Sequence, residues 1–497
     1  MKRIRSTTLG FCFGLATLIL PLLAEFPTAS VAAAAPVDAA HDAVLQGLLK
    51  RRPATEAMAN AIWDEPELGY REFKTSARMI SALREAGFTV TTGVAGMPTA
   101  FVAKWGRGGP VIGLLAEMDA LPGKSQAMSP VEQEIPGRIN NHACGHDLFA
   151  AGSVAAAVAI RDWLQTSGTA GEIRLYGTPA EEGGSGKVYL VRAGLFKDVD
   201  LVLHWHPAML NAGAPVTNNA VVSAKFRFEG IASHAASSPE RGRSALEAAQ
   251  AMTHMVDMMR AHVRDGARIS YIITKGGDAP NIVPAFAEVY FYVRDADAAS
   301  TRSLFQRVAK AAEGAAIGTE TKSSYEFIHG TYNLLPNEAL SKVVDGNLRA
   351  RVNTLSWTPE EKAFAAKIYD TLPAKWLPLD SINEVQPFKV THVAGSSDVG
   401  DVSWVAPTAG LATVTWVPAV DAHTWQAAAT GRMGIGLKGM HLASEVMAMS
   451  ATDLFRRPDL VTAAKLEFEK RRGPNFEYRA LIGDRSPPLD YRKSDRD

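Results

Sequence analysis

The sequence predicts an α/β catalytic domain that carries an inserted α+β domain. Along most of the chain, apolar residues alternate between helical and strand spacing, which is typical of a sheet covered by helices. From about residue 217 the spacing changes to a βαββαβ order, which indicates a small sandwich of its own. Side chains that can bind metals follow the predicted strands of the first domain, where open α/β sheets hold their ligands.

The composition indicates a folded protein that is not specialised for polyanions. The chain has 497 residues, of which 47% are apolar and 21% charged, so it is long enough for two domains with a large core. Its 52 basic and 52 acidic residues balance. Because no overall electrostatic field favours nucleic acid or an anionic membrane, we expect neither as a partner.

Residues 1–35 have the layout of a secretory signal peptide. Three basic residues between positions 2 and 5 precede an uncharged apolar stretch at 7–24, and an alanine run at 32–35 offers a cleavage site. An uncleaved membrane anchor is the alternative, since the stretch approaches the length that spans a bilayer. We expect export to a bacterial periplasm, or beyond, with no membrane attachment after cleavage.

The catalytic domain is predicted in two parts, residues 36–216 and 334–472. In the first part, apolar spacing indicates helices at 41–62, 74–87 and 150–166. Short apolar runs indicate strands at 99–105, 110–117, 172–176 and 201–203. The second part contains an apolar strand at 413–417, whereas residues 355–390 show no clear pattern.

Residues 217–333 are predicted to form the inserted domain. Strands are indicated at 220–230, 268–275, 285–294 and 323–329, and helices at 243–262 and 298–314. Residues 473–497 follow the second part of the catalytic domain and are rich in charges, with Pro487 and Pro488 adjacent. We expect this last segment to be a loose C-terminal tail.

Cys144 and His146 stand two positions apart in the segment Asn-His-Ala-Cys-Gly-His-Asp. A thiolate and a neutral imidazole both bind Zn²⁺ or a similar divalent ion, and Gly145 lets the backbone aim both side chains at one point. The alternative is a small buried hydrophobe beside a surface histidine. The other cysteine, Cys12, lies in the predicted signal peptide, so the exported chain has one thiol and no internal disulfide.

Further candidate ligands follow other predicted strands. Glu181 and Glu182 precede two glycines, a setting in which one carboxylate can bind a metal while the other faces a water; a solvated surface pair is the alternative. His204 and His206 alternate to one side of a short strand, and one of them can lie behind the ligands. His423 follows the strand at 413–417 and is placed to complete the cluster.

Eight short motifs occur in a fixed order along the chain. They are Glu-Met-Asp-Ala-Leu-Pro at 117–122, His-Ala-Cys-Gly-His-Asp at 142–147, Pro-Ala-Glu-Glu-Gly-Gly at 179–184, His-Pro at 206–207, Ala-Ser-His-Ala at 232–235, Asn-Ile-Val-Pro at 281–284, Gly-Ser-Ser-Asp at 395–398 and His-Thr-Trp-Gln at 423–426. With these motifs the chain resembles the M20 peptidase family over roughly residues 40–450, and within it the amidohydrolase branch. The resemblance implies a metal-dependent exopeptidase-like catalytic domain with an inserted lid and dimerisation domain.

The resemblance implies two divalent metal ions, Zn²⁺ or Mn²⁺ with Co²⁺ as a further option. Cys144 would be the ligand that both ions share, and the remaining implied ligands are His146, Glu182, His206 and His423. Asp119 would orient one of these ligands from behind. Glu117 departs from the family pattern, because the wider family typically has a histidine at this position and the amidohydrolase branch an aspartate.

The resemblance also implies roles in catalysis and substrate binding. Glu181 would be the general base, which takes the proton of the attacking water and delivers it to the leaving amine. His234 would reach the site from a partner subunit and stabilise the tetrahedral oxyanion, with an ordinary loop histidine as the alternative. Asn281 and Arg294 would bind the substrate's α-carboxylate; a solvated edge-strand arginine is the alternative.

The sequence therefore predicts a secreted, binuclear metal-dependent amidohydrolase of N-acyl or N-aroyl amino acids. A glutamate conjugate such as p-aminobenzoyl-glutamate is the expected substrate, and an aminoacylase or an indoleacetyl-aspartate hydrolase is the alternative within this chemistry. A catalytically silent binding or scaffold protein is the alternative from another class. The resemblance makes two assemblies plausible, a homodimer and a heteromer with a related subunit.

Overall fold

The computed structural model of the protein describes residues 38–492. The predicted signal peptide at 1–35 lies outside the described residues, as do the last five positions of the predicted tail. Between residues 38 and 492, no helix is both long enough and apolar enough to cross a membrane.

The described residues form twelve α-helices and fourteen β-strands, numbered here in chain order. The helices are α1 (Ala39–Asp64), α2 (Phe73–Glu85), α3 (His146–Ser167), α4 (Gly186–Arg192), α5 (Ala245–Met259), α6 (Ala298–Gly318), α7 (Glu338–Arg351), α8 (Pro359–Asp370), α9 (Val399–Ser403), α10 (Trp425–Gly431), α11 (Gly434–Arg456) and α12 (Pro458–Arg472). The strands are β1 (Thr89–Thr92), β2 (Phe101–Arg107), β3 (Val111–Glu117), β4 (Leu121–Pro122), β5 (Asn140–Asn141), β6 (Gly171–Thr178), β7 (Leu201–Ala208), β8 (Val216–Asn218), β9 (Ala220–Glu229), β10 (Arg268–Lys275), β11 (Phe286–Asp295), β12 (Lys322–Thr331), β13 (Thr391–Val393) and β14 (Thr408–Val414).

The main sheet has six strands in the order β1-β2-β6-β3-β7-β14. Strands β6, β3, β7 and β14 run parallel to their neighbours in that series, while β1 and β2 form an antiparallel edge. Parallel strands are buried on both faces, which explains why β3 is almost entirely apolar until it reaches Glu117. The carboxyl ends of the four parallel strands meet at one edge of the sheet.

Both faces of the main sheet are covered. Helices α3, α7 and α11 pack on one face, and α1 packs on α3 and α11, in a core that also contains Leu114, Leu203 and Trp205 from the strands. Residues of α4 and α9 pack on the other face, against side chains such as Leu115 and Val202. Adjacent residues of one strand, such as Leu114 and Leu115, therefore enter opposite cores, as the two-residue period of a strand requires.

A second sheet forms the inserted domain. Its four strands are antiparallel in the order β10-β11-β9-β12, and α5 and α6 pack on one of its faces. Alternate residues of β9 enter its separate hydrophobic core; they are Val222, Ala224, Phe226 and Phe228. The sheet confirms the predicted βαββαβ order, and its elements all lie within residues 217–333.

The strand predicted at 201–203 is longer than expected. Strand β7 continues to Ala208, so His204 and His206 belong to the strand instead of following it. The alternation of fully and partly buried residues along β7 shows why the apolar run alone was misleading. The polar side chains on one face of this strand enter a polar site, where the hydrophobic criterion no longer applies.

The expectation of a loose C-terminal tail is wrong for the described residues 473–492, called here the C-terminal segment. Leu481 and Ile482 are buried, each in a different hydrophobic core. The hydroxyl of Tyr478 donates a hydrogen bond of 2.6 Å to Asp401. The segment contains no helix or strand, so the sequence offered no periodic apolar pattern that would predict its packing. Its charges and prolines are typical of a tail, but its aromatic and aliphatic residues are packed.

Candidate metal centre

The predicted ligands, together with Glu117 and the predicted base Glu181, lie at the carboxyl edge of the main sheet. Glu117 is the last residue of β3, Glu181 and Glu182 follow β6, and His206 lies near the end of β7. Cys144 comes just before α3, which begins at His146. Parallel strands bring these positions together although they are far apart in the sequence, as expected for an open α/β sheet.

Gly145 allows Cys144 and His146 to point into the same space. Its φ of 75° is in the left-handed region that favours glycine. A Cβ atom at this position would lie 2.7 Å from Cβ of Pro207, which follows His206. A larger residue here would therefore push the thiol and the imidazole away from His206 as well as strain the backbone.

Two groups of three potential ligand atoms share the thiol of Cys144. One group consists of Cys144, His146 and His206, and the other of Cys144, Glu182 and His423. Within each group the ligand atoms lie within 4.8 Å of one another. A third group joins Glu117 and Glu181 to His146. The described part of the chain thus offers places for two ions on either side of one sulfur.

Hydrogen bonds to Asp119 hold two of these ligands in place. Nδ1 of His146 lies 3.0 Å from the backbone oxygen of Asp119 and 3.2 Å from its carboxylate. The other carboxylate oxygen accepts a hydrogen bond of 2.9 Å from the backbone N–H of Glu182. With Nδ1 engaged, Nε2 of His146 is left to face the cluster, which is the arrangement that metal-binding histidines need.

Several buried atoms of the cluster make no well-aligned hydrogen bond among the described residues, although each lies 3.1 Å from an atom of another site residue. They are Nε2 of His146, Oε2 of Glu117 and Oε1 of Glu182. Buried polar atoms are normally paired, because an unpaired one costs about 1–3 kcal/mol. One thiol, three imidazoles and up to three carboxylates with free electron pairs directed at the same space fit two divalent ions.

The electrostatics of the cluster also favour cations. Burial raises the pKa of Glu181 well above its usual range, and the carboxylates of Glu117, Glu182 and Asp398 raise it further. Burial likewise raises the pKa of the Cys144 thiol, and Glu182 adds to the effect. Acidic groups crowded in this way are stabilised in their ionised form when divalent cations lie between them.

The structure shows what Glu117 contacts, whereas the sequence left the role of this residue open. Its Oε2 lies 3.1 Å from Nε2 of His146, and its Oε1 lies 2.7 Å from Nζ of Lys187. Nζ of Lys187 also lies 2.6 Å from a carboxylate oxygen of Asp398. Burial favours the neutral acid, but Lys187 and His146 hold the pKa of Glu117 below its usual range.

Lys187 and Asp398 were not recognised as site residues from the sequence. Lys187 is fully buried in α4, and Asp398 is fully buried just before α9. One signal was available: a single lysine in the otherwise apolar run Gly-Lys-Val-Tyr-Leu-Val at 186–191, which follows the double glycine of the 179–184 motif after one serine. A buried lysine requires a buried acid, and the sequence does not show which one.

The two histidines of β7 have different surroundings. His206 belongs to a ligand group, and its Nε2 lies 3.6 Å from the sulfur of Cys144. His204 lies one step earlier on the same face and packs directly against Gly410, where even a single Cβ atom would collide with the imidazole ring. Burial lowers the pKa of His204 to about 4. His204 is therefore a neutral ring behind the cluster.

His423 is the least buried of the candidate ligands. Its Nε2 lies 3.1 Å from Oε1 of Glu182, and about half of its side chain is exposed. Its φ of 66° is in the left-handed region, and its backbone N–H donates to the oxygen of Ala143, next to Cys144. Backbone strain of this kind is often retained at functional sites.

The residues predicted on the inserted domain belong to none of the three ligand groups found among the described residues. His234 and Asn281 are exposed and adjacent, since the backbone of Ala235 pairs with that of Asn281. Nδ1 of His234 accepts hydrogen bonds of 3.2 Å from the N–H groups of Ala236 and Ser237. The contacts found for His234 and Asn281 within residues 38–492 are all with their own domain.

Arg294, the third of these residues, lies in β11 and is half-buried. Its guanidinium stands 5.7 Å from the ring centre of Tyr292, which in turn lies 6.3 Å from the ring of His329. Nδ1 of His329 lies 2.5 Å from the hydroxyl oxygen of Ser185, directly after the loop of Glu181 and Glu182. Arg294 is thus connected to the loop that carries Glu181 and Glu182 through three intermediate side chains, those of Tyr292, His329 and Ser185.

Comparisons with known proteins agree with this geometry. Residues 113–363 match the model of the peptidase family M20/M25/M40. The chain is 40% identical over 441 residues to a p-aminobenzoyl-glutamate hydrolase subunit of Escherichia coli strain K12, a match that covers 83% of this chain and 91% of that protein. It is 30% identical over 447 residues to the Xaa-Arg dipeptidase of Mus musculus, covering 85% and 92% respectively.

A solved structure shows the same fold. The YXEP protein of Bacillus subtilis, a dinuclear metal-binding peptidase from the M20 family, superimposes with a TM-score of 0.57 and 17% identity, over 82% of this chain and 99% of that chain. The family match, the two sequence relatives and the paired ligand groups lead to one conclusion. The chain belongs to the M20 peptidase family and is a metal-dependent hydrolase that acts on amide bonds.

Proposed function

We propose that this enzyme hydrolyses N-acyl or N-aroyl amino acids, with a glutamate conjugate such as p-aminobenzoyl-glutamate as its preferred substrate. The observation that supports the reaction is the pair of ligand groups sharing Cys144, with the carboxylate of Glu181 beside them. The choice of conjugate is supported by the relative from Escherichia coli, whose name states that substrate.

Two divalent ions would be held by Cys144 together with His146, His206, Glu182 and His423. Ions in such a site supply Lewis acidity, which makes water a better nucleophile and an amide carbonyl a better electrophile. We propose Zn²⁺ or Mn²⁺, with Co²⁺ as a further option, because a mixed set of sulfur, nitrogen and oxygen ligands accepts all three.

Glu181 is proposed as the general base. Its carboxylate takes a proton from the attacking water and transfers it to the nitrogen of the leaving amino acid, so that the C–N bond can break. The burial that raises the pKa of Glu181 suits both steps, since the carboxyl group must accept and then release a proton. Asp119 keeps His146 oriented throughout, because it holds Nδ1 of that ring.

The inserted domain is proposed to supply the remaining contacts. His234 is exposed and its side chain bonds within its own domain, so we propose that it acts on the active site of a partner, where its ring would stabilise the oxyanion of the tetrahedral intermediate. Asn281, beside His234, and Arg294 are proposed to bind the α-carboxylate of the substrate. The partner is either a second copy of this chain or a related protein, and the second option is supported by the Escherichia coli relative, which is itself one subunit of a hydrolase.

We also propose that the enzyme is exported, since residues 1–35 carry the pattern of a signal peptide. In an oxidising compartment an unprotected thiol is at risk, and coordination of Cys144 to the metals would shield it. Fractionation of the source cells with an antibody against the protein tests this point.

The substrate is tested with a panel of conjugates. The purified enzyme is loaded with Zn²⁺, Mn²⁺ or Co²⁺ and assayed on p-aminobenzoyl-glutamate, an N-acetyl amino acid, hippurate and indoleacetyl-aspartate. We expect the highest kcat/KM for the aminobenzoyl conjugate. A clear preference for the acetyl compound would identify the enzyme as an aminoacylase, and one for the indoleacetyl compound as an auxin-conjugate hydrolase.

The base is tested with Glu181→Gln, which keeps the shape of the side chain and removes its basicity. We expect wild-type metal content by elemental analysis and a loss of kcat of about 10²–10⁴-fold, the usual contribution of a general base. A variant with wild-type kcat would remove Glu181 from the mechanism. Full metal content with no hydrolysis of any conjugate by the wild-type protein would instead indicate a silent binding protein.

A further inference from the structure

The C-terminal segment, residues 473–492, crosses from the inserted domain to the metal centre. Its first part packs on the aromatic rings of Tyr332 and Trp404, through Phe476 and Tyr478. The guanidinium of Arg192 then donates to two backbone oxygens of the segment, those of Gly483 and Arg485, at 2.8 and 2.7 Å. These contacts fix the course of the segment up to its last described residues.

The segment ends against the loop that carries Glu181 and Glu182. The ring of Tyr491 packs edge-on against Tyr70, with 5.7 Å between ring centres. Its hydroxyl reaches Gly69, where a Cβ atom would lie 2.5 Å from the oxygen, so only glycine leaves room for it. Arg492 stacks on Tyr491, and its Nη2 donates a hydrogen bond to the backbone oxygen of Glu182.

This loop, residues 179–185 and called here the acidic loop, has a strained backbone. Ala180 and Ser185 have φ values of 57° and 58°, which are unfavourable for residues with a Cβ atom. A loop in this conformation keeps its shape only when the surrounding structure holds it. The position of the general base and of one metal ligand therefore depends on what contacts the backbone of the acidic loop.

The backbone groups of the acidic loop are bound by side chains from distant parts of the chain. The carboxylate of Glu72 accepts a hydrogen bond of 2.9 Å from the N–H of Ala180, and the hydroxyl of Tyr70 donates one of 2.6 Å to the oxygen of Gly184. Arg492 binds the oxygen of Glu182, between these two points. The metal ligand Glu182 is thus held on both sides of its backbone, by Asp119 at its N–H and by Arg492 at its oxygen.

We infer that Arg492 is a positioning residue, which fixes the peptide group after Glu182 and thereby holds the carboxylate of Glu182 toward Cys144 and His423. This inference rests on the metal-binding part of the proposed function and is independent of the substrate. A partner of this kind, which orients a ligand without touching the ion, usually contributes about 10–100-fold to metal affinity or activity. The C-terminal segment is thus part of the active site.

The inference is tested with Arg492→Ala, Arg492→Lys and the control Arg479→Ala. Arg479 belongs to the same segment, but its side chain is exposed and pairs only with Glu477 at the surface. Each full-length protein is loaded with Zn²⁺ and dialysed against increasing concentrations of a chelator, and the remaining zinc is measured by elemental analysis. The thermal midpoint of each metal-free protein and the kcat and KM of each loaded enzyme are measured in parallel.

We expect Arg492→Ala to lose the more weakly held zinc at a chelator concentration about 10–100-fold lower than wild type. Its kcat should fall while KM stays close to wild type. Arg492→Lys should lie between Arg492→Ala and wild type in both zinc retention and kcat, and Arg479→Ala should match wild type. A raised KM with unchanged zinc retention would make Arg492 a substrate contact and overturn the inference. A lower thermal midpoint of the metal-free protein with unchanged zinc retention would overturn it as well, since the role would then be structural.

The zinc measurement separates this inference from the proposed function. It requires no substrate, so an error in the choice of conjugate leaves its outcome unchanged. Conversely, a wild-type protein that releases both ions as readily as Cys144→Ala would overturn the metal site as a whole, before Arg492 is considered. If Arg492→Ala is recovered unfolded, Arg492→Lys decides the question, because it keeps the charge and loses only the planar, forked arrangement of donors.

Discussion

Lys187 places a positive charge in the interior of the molecule, between the carboxylates of Glu117 and Asp398. Removing two carboxylates and an ammonium group from water is costly, and their mutual attraction compensates only while all three are present. The backbone N–H of Lys187 also donates to Asp398, so the contact is fixed from two sides. Through Glu117 this network reaches His146 and therefore the metal centre.

Replacing Lys187 by methionine should destabilise the protein strongly. The substitution keeps the length of the side chain but leaves Glu117 and Asp398 buried without a cation. We expect the free energy of unfolding of the metal-free protein to fall by about 3–5 kcal/mol, measured by urea denaturation.

The matched control for this prediction is Lys465→Met. Lys465 pairs with Asp200 at 2.7 Å, but nearly half of its side chain is exposed. Exposed pairs contribute about 1 kcal/mol or less, so this variant should remain close to wild type. Equal stability of Lys187→Met and wild type would show that the buried network contributes nothing to folding.

At the level of single residues, the sequence predicted the site residues of rare types or in recognisable motifs. It missed the residues whose burial and partners are decided by distant parts of the chain. Cys144 and His146 were recognisable because a thiol beside an imidazole is rare, and the motif order completed the set. Lys187 was missed because its partners come from other parts of the chain. The open choice between His204 and His206 needed the close approach of Gly410, which no local pattern contains.

At the level of elements, local patterns predicted the inserted domain better than the ends of the main sheet. Strand β10 has the predicted bounds, residues 268–275, because its alternation and its turns are local properties. Strand β7 was cut short at its first histidine, since an apolar run ends where a strand enters a polar site. The C-terminal segment was misjudged for a related reason: its packing depends on partners far away in the sequence.

Helices α1 and α11 are joined by an ion pair that makes stability depend on pH. Nε2 of His41 lies 2.8 Å from Asp453, and this hydrogen bond raises the pKa of His41 above its usual 6.5 despite partial burial. Asp38 supports the shift and Arg456 opposes it. A histidine whose pKa is raised by folding stabilises the folded state while it is protonated. That contribution is complete below pH 6.5 and is lost as the pH rises through the raised pKa.

The variant His41→Asn should therefore be less stable than wild type at about pH 5.5, by roughly 1 kcal/mol, and nearly equal to it at about pH 9. Urea denaturation of both proteins at the two pH values measures the difference, and the metal-free form avoids changes in metal affinity. A difference that stays constant with pH would assign the effect to packing and not to the charge of His41.

At the level of the whole molecule, the inserted domain presents His234 on its surface. If the partner is a second copy, mixing can restore activity. We expect His234→Ala and Glu181→Gln to be nearly inactive alone. In a mixed dimer, one site combines an intact Glu181 with an intact His234, so an equal mixture after exchange of protomers should recover about a quarter of wild-type activity.

The controls for this prediction are the two variants kept separate and each variant mixed with itself. Size-exclusion chromatography with light scattering gives the assembly state in the same samples. A dimer that shows no recovery after exchange would place the action of His234 within one chain. Recovery only when a related protein is added would show that the natural assembly is a heteromer.

The sharing of one sulfur between both ligand groups has a practical consequence. Cys144 is the free cysteine of residues 38–492, so a thiol-specific label has a single target in that part of the chain. Bound ions would occupy the sulfur and block the label, whereas their removal would free the sulfur to react, at the slow rate expected of a buried thiol whose pKa is raised. The rate of labelling then reports the occupancy of the centre through the thiol label alone, without a separate metal indicator.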